Sequence, residues 1–382
     1  MEIVLRALNI SYPSFYVVDD YTGATLRPGA RGWWRQEGEA YIRINSDGLR
    51  DRGHAKPKPL NTFRIAVLGD SFTEAKQVEI RKTFWAVMEK DLEQCAGLNG
   101  QQVEVINFGV SGFGTAEELL TLRHRVWPYH PDLVLLALYT GNDIRENSRA
   151  LNYNPLSPYF IYSDGELVLD NSFLHSPDYL YRKSLLVQLG YGIINYSRVL
   201  QLANQAKNVI LTKRKTRAVK KELTSASDGN EAGIQNEIYR EPAHSLWQEA
   251  WQVTEGLITL MRDEVAEKGA DFLVVTLSTS IQVHPDSSVR KQFMISLGID
   301  HLFYPDFRIK ALGEREGISV LNLAPSLQAY AQEHQIFLHG FENATMGYGH
   351  WNENGHRLAG QIMAQKICEQ YLRTKARVAS TP

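Results

Sequence analysis

The sequence predicts a three-layer α/β/α domain built on a central parallel sheet. Three observations carry that expectation: five short apolar runs bounded by turn residues, helical patterns between most of them, and strands that are apolar throughout rather than at every second position. Continuous apolar strands belong to a parallel sheet covered on both faces. The runs are Phe63 to Leu68, Val103 to Phe108, Leu133 to Tyr139, Phe272 to Leu277 and Ile318 to Leu323. With 382 residues and 43% apolar content, the chain can bury a large core as one elaborated domain or two small ones.

The helices announce themselves by caps and spacing. Thr83 is placed to cap a helix carrying Phe84, Met88 and Leu92 on one face. Thr115 to Glu118 fits a capping box, in which each side chain satisfies a backbone donor of the other. Leu246, Ala250, Val253, Leu257 and Leu260 recur at helical spacing, and Gly269 ends that helix. Pro325 suits the first turn of another.

Two regions stand outside this rhythm. Residues 1–60 form an N-terminal extension expected to pack on the core, with Tyr41 to Asn45 and Ser46-Asp47-Gly48 reading as a strand and turn. Residues 61–382 carry the main domain, interrupted at about 150–242 by an insertion expected to cap the fold, with a mobile arm. The insertion holds an apolar helical run from Leu185 to Leu202, suited to packing on the domain or, alternatively, to contact with a membrane surface. After it come Lys213, Arg214, Lys215, Arg217, Lys220 and Lys221, which read as a solvated face, and a polar stretch from Ser225 to Asn236.

Composition removes several classes. A net charge of -2 and abundant aromatics argue against global disorder and against nucleic-acid binding. Cys95 and Cys368 match no metal-ligand spacing and lie far apart in the chain, so two buried reduced thiols are expected rather than a disulfide. Met1 to Arg6 is not a basic leader followed by an apolar core, and no run approaches the ~20 apolar residues that span a bilayer. The expectation is a soluble, cytoplasmic chain.

Candidate chemistry collects where the strands end. The first runs into Gly69-Asp70-Ser71-Phe72-Thr73, the second into Gly109-Val110-Ser111-Gly112-Phe113-Gly114, and the third into Gly141-Asn142-Asp143. Ligands of open α/β sheets bind beyond the carboxyl ends of strands, where a Ser hydroxyl, glycine N–H groups and a side-chain amide could serve acyl transfer. Gly349-His350-Trp351-Asn352-Glu353-Asn354-Gly355-His356 precedes the last helix and supplies a base. Singly, each is an ordinary turn or cap; at average residue usage, Gly-Asp-Ser arises by chance in roughly one chain in ten of this length.

In order and placement together, these blocks resemble the SGNH hydrolase superfamily, the GDSL esterases and lipases. The resemblance implies a flavodoxin-like fold, Ser71 as nucleophile, and His350 as base. It also implies an oxyanion hole formed by the Ser71 N–H, the Gly112 N–H and the Asn142 amide, with no metal or organic cofactor. The segment Asn45 to Asp51 also resembles bacterial, largely cyanobacterial, members in which a membrane segment often precedes this region. Two departures stand out. Phe72 replaces the family's Leu, and Gly347 occupies the position of its acid, three residues before His350. A backbone carbonyl or a more distant carboxylate such as Glu342 is then expected to orient His350. The alternative register pairs Glu353 with His356. The implied activity is hydrolysis of a lipid, thioester or O-acetylated carbohydrate ester through an acyl-enzyme. An O-acyltransferase using a sugar or cell-envelope acceptor and a catalytically impaired binding module remain open alternatives. The insertion as an acyl pocket and Trp33 and Trp34 as a sugar platform are equally open.

Overall fold

A computed structural model describes residues 1–207, 210 and 234–379. The basic cluster from Lys213 to Lys221 and the polar stretch as far as Gly233 lie outside the described residues.

All five apolar runs form strands of one parallel sheet. They are β5 (Thr62–Gly69), β6 (Gln102–Asn107), β7 (Leu133–Tyr139), β10 (Asp271–Leu277) and β11 (Ser319–Asn322). Their order is β11-β10-β7-β5-β6, and β5 and β7 are buried along their whole length. This is the flavodoxin-like order. The chain leaves β5 for β6 at one edge, then crosses back beyond β5 to β7, so the crevice between β5 and β7 is the topological switch point.

Right-handed crossovers that run in opposite directions place their helices on opposite faces. The helix Phe84–Leu92, between β5 and β6, accordingly packs against the last helix, Glu353–Ala379. The helix Thr115–Thr121, between β6 and β7, packs against Ser245–Glu267. Thr83 caps the first of these through the Ala86 N–H, as expected. The capping box at Thr115 is displaced by one residue. Gly114 is the N-cap, and its N–H donates to Glu117 at 3.1 Å, which leaves Glu118 on the buried side.

Packing the first and last helices together corrects the expectation for the cysteines. Cys95 and Cys368 form a disulfide across 273 residues of sequence, with Cα atoms 5.6 Å apart. Distance along the chain says little about distance in space once a sheet brings its first and last helices side by side.

The extension opens with a short helix, Glu2–Ala7, followed by two hairpins. One pairs β1 (Tyr16–Asp19) with β2 (Gly23–Leu26); the other pairs β3 (Arg31–Trp34) with β4 (Ala40–Arg43). Phe15, Leu26, Ile42 and Ile44 cluster with Val110 and Phe113 from the loop after β6. The Asn45 side chain closes the expected turn by accepting from the Asp47 and Leu49 N–H groups.

The insertion opens with the hairpin β8 (Tyr159–Ser163) and β9 (Glu166–Asp170), then the helices Pro177–Lys183 and Leu185–Tyr196. Leu185–Tyr196 touches the extension, where Asn195 accepts from the Ser14 N–H. None of its residues is buried, and Leu185, Leu186, Leu189, Ile193 and Tyr196 face outward, so the packing expected for this run is only partial. No helix among the described residues is long and apolar enough to cross a membrane.

The disulfide closes nearly the whole domain into a loop, which restricts the unfolded chain most strongly. It lies past the C-terminal end of Phe84–Leu92, at the edge of the sheet away from the strand carboxyl ends. Cys95→Ser should lower unfolding free energy by about 2–5 kcal/mol in denaturant titrations. Equal stability with and without reductant would show that the bond does not form.

Candidate active site

Ser71 follows β5 directly. Asp70 turns the chain by accepting from the Phe72 N–H at 2.9 Å, and Ser71 opens the short helix Ser71–Glu74. The loop after β6 lies alongside, its Val110 N–H donating to the Gly69 carbonyl at 3.1 Å. In that loop Glu74 accepts from both the N–H (2.7 Å) and the hydroxyl (2.5 Å) of Ser111, which fixes the turn carrying Gly112. Asn142 stands at the end of β7, the neighbour of β5 across the switch point.

His350 arrives from the far end of the sequence. Its Nε2 is 2.7 Å from Ser71 Oγ. Its Nδ1 is 2.6 Å from Glu37 Oε2, and its backbone N–H donates to Glu37 Oε1 at 2.7 Å. The missing acid is therefore Glu37, in the turn between β3 and β4, 313 residues from the histidine. This corrects the expectation of a backbone acceptor or Glu342, which is solvent-exposed. Burial by itself raises the Glu37 pKa, but the ring and backbone bonds from His350 and its charge outweigh that effect. The carboxyl is held below the usual glutamate range.

Local structure explains why this acid replaces one at 347. Gly347 has φ +84°, and a Cβ there would stand 2.8 Å from the Phe337 ring, so an aspartate does not fit. Gly349 also has φ +84°, and its missing Cβ leaves the space that Glu37 fills: an added Cβ would lie 2.2 Å from Glu37 Oε1. The hairpin tip is tied to the histidine loop by Gly38 and Asn343, which exchange hydrogen bonds of 2.9 and 2.8 Å. Trp34 Nε1 donates to the Glu37 carbonyl at 2.9 Å.

The alternative pair is not assembled. His356 is buried against Phe84, where its Nδ1 accepts from the Phe84 N–H at 3.3 Å, and burial pushes its pKa down to about 3. Glu353 is exposed and pairs with Lys82 at 2.7 Å. His339 supports the loop instead, with Nδ1 2.6 Å from the Gly349 carbonyl and Nε2 3.2 Å from Ser278 Oγ. Burial lowers its pKa to about 4, so the ring is neutral.

A cation lies over one face of each tryptophan. The Lys76 ammonium lies over Trp34, and the Arg35 guanidinium lies over Trp33. Both line a cavity of about 740 Å³ between the extension and the insertion, with Tyr12, Leu186, Tyr191 and Ile194 on its walls. Among the described residues, no group of three or more His, Cys, Asp or Glu is placed to hold a metal ion.

No family model matches the chain, and no curated protein matches it in sequence. Solved structures similar to it include an acetyl xylan esterase at 14% identity, over 80% of this chain and all of that one, with TM-score 0.39. A catalytic mutant of an acetylxylan esterase from Geobacillus stearothermophilus is 9% identical over 80% and 94% of the two chains, with TM-score 0.40. An α/β hydrolase from the metagenome of Lake Arreo, Spain, is 13% identical over 80% and 95%, with TM-score 0.37. Likeness at this level leaves the chemistry to be judged from the side chains.

Beside the site lies a group of buried carboxyls, Glu117, Glu118, Asp143 and Glu146, that no sequence pattern marks as a group. Burial first, and mutual repulsion second, raise Glu118 and Asp143 well above the ordinary range and Glu146 to about 8; burial raises Glu117 to about 7. The folded state thus keeps protons that the unfolded chain releases from about pH 4.5 upward, so these groups make stability fall as pH rises. Glu37 acts in the opposite sense only below that window, whereas the buried neutral rings of His339 and His356, which the unfolded chain protonates below about pH 6.5, oppose the slope up to that pH. Denaturation midpoints should therefore drop between about pH 6.5 and 8, and Glu146→Gln should flatten the slope. A stability that climbs across this range would contradict these protonation states.

Proposed function

We propose that the chain is a serine ester hydrolase of the SGNH type. The observation that carries this reading is the unbroken line Ser71–His350–Glu37, with contacts of 2.7 and 2.6 Å. A nucleophile, a base and an orienting acid in that geometry perform acyl transfer.

In the proposed reaction, Glu37 accepts the Nδ1 proton of His350 in a hydrogen bond. This selects the tautomer whose Nε2 lone pair faces Ser71. Ser71 Oγ attacks the ester carbonyl carbon as its proton passes to Nε2, and the oxyanion is held by the Ser71 N–H, the Gly112 N–H and the Asn142 amide. Collapse breaks the bond between acyl carbon and leaving oxygen, and the imidazolium returns its proton to the departing alkoxide. Water then repeats the sequence on the acyl-enzyme, releasing the acid and restoring the serine. Glu37 stabilises the imidazolium in both halves without taking the proton itself. The acid that Glu37 supplies supports an active enzyme over an impaired binding module.

Probe labelling and turnover measurements test this. A fluorophosphonate probe should label the wild-type protein at Ser71 and leave Ser71→Ala unlabelled, and the same variant should lose turnover on p-nitrophenyl acetate. Labelling elsewhere, or a Ser71→Ala variant with most of its turnover, refutes the assignment. Asn142→Ala should lower kcat by on the order of 10²–10³ with KM little changed, as for loss of one oxyanion donor. Glu353→Gln, which touches only an exposed ion pair, should stay within about a few-fold of wild type.

A further inference from the structure

We propose that Lys76 is a positioning residue that holds both halves of the catalytic apparatus, the turn bearing Glu37 and the turn bearing Gly112. The inference rests on the reading of Ser71, His350 and Glu37 given above.

Lys76 is 5% exposed, yet it is ringed by partners rather than by water. Its ammonium lies 4.4 Å from the centre of the Trp34 ring and 4.6 Å from that of Tyr16, bonds to the Tyr16 hydroxyl, and stands 3.6 Å from Glu74 Oε1. Removing an ammonium from water is costly unless a counter-charge and other favourable contacts replace hydration. Glu74 supplies the charge, and two aromatic faces supply the rest. Among the described residues Glu74 Oε1 has no hydrogen-bond partner, and the Lys76 ammonium faces it at 3.6 Å.

Each contact of Lys76 leads to a functional turn. Through Trp34 it reaches the Glu37 carbonyl, which the indole N–H holds at 2.9 Å. Through Tyr16, whose hydroxyl donates to Glu74 Oε2 at 2.7 Å, it reaches the carboxylate that fixes the Ser111 N–H and hydroxyl. The backbone around Lys76 is firm enough to serve. Arg50 donates to the carbonyls of Glu74 and Val78, and the hairpin tip sits so close that a Cβ on Gly38 would lie 2.2 Å from the Gln77 carbonyl. Tyr16, Trp34 and Glu37 all come from the extension, whereas Glu74, Lys76 and Ser111 come from the sheet loops. The cation is thus a clamp across the seam where the active site is assembled.

A residue that only stabilised the fold would lower the melting temperature and leave the folded enzyme's kcat alone. For Lys76→Met, which keeps length and loses charge, kcat on p-nitrophenyl acetate should fall on the order of 10- to 100-fold, with KM within about threefold. In a Glu37→Gln background the same substitution should cost clearly less, because one of its two routes is already cut. The downfield proton resonance of the His350–Glu37 hydrogen bond should shift or broaden. A folded Lys76→Met protein with wild-type kcat and an unchanged resonance overturns the proposal, as does a fully additive cycle. Should Lys76→Met not fold, Trp34→Phe carries the test. It keeps a smaller aromatic face and removes the bond to the Glu37 carbonyl, so kcat must drop several-fold and the resonance must move; no change in either overturns the proposal. Wild-type turnover that depends on Ser71 separates this failure from that of the underlying reading. Without such turnover both fall; with it, only the role of Lys76 does.

Discussion

The hydrogen bond between Glu37 and His350 joins an early hairpin to the loop before the last helix, and the arrangement of the site depends on it. The histidine loop is glycine-rich and has no acid of its own close enough to orient the ring. Glu37 answers both deficits, because one carboxylate oxygen takes the ring N–H and the other takes the backbone N–H of the same residue. Bidentate bonding to ring and backbone fixes the plane of the imidazole as well as its tautomer. A carboxylate buried in this way is stable only because charge-assisted bonds replace its hydration.

The fold makes that meeting possible by dividing the work. The parallel sheet delivers the loops bearing Ser71, Gly112 and Asn142 to one edge beside the switch point, and Glu74 then fixes the turn of Gly112 through Ser111. The acid comes from outside the sheet, so the extension has to be held in register by contacts of its own. The small apolar cluster of Phe15, Leu26 and Ile42 with Val110 and Phe113 brings it into place, the Gly38–Asn343 exchange sets its tip, and Lys76 spans the seam. Catalytic geometry and the folding of the first fifty residues are therefore one problem in this chain.

What the sequence disclosed follows the same division. Parallel strands covered on both faces are largely apolar, so all five were legible, and so was the serine after β5. His350 was legible through the spacing of its block, and the structure separates it from His356 by burial. Other features depend on contacts that no local pattern encodes. The disulfide follows from the first and last helices sharing a face. Glu37 sits among Arg35, Gln36, Gly38 and Glu39, an unremarkable turn, and its trace in the sequence is indirect: glycine at 349, where any side chain would collide with it. Trp34 has a contact that its sequence position does not disclose, the bond from its indole N–H to the Glu37 carbonyl.

The central claim is that a carboxylate from the extension does the work of the absent aspartate. It is tested most directly by the turnover of Glu37→Gln on p-nitrophenyl acetate, with active sites counted by fluorophosphonate titration and folding confirmed by circular dichroism. The amide can still accept a bond from His350 but carries no charge, and it lets the wrong tautomer form. The account predicts a loss in kcat on the order of 10⁴ with the fold intact. A Glu37→Gln enzyme within about tenfold of wild type would show that His350 works without Glu37, and would contradict it.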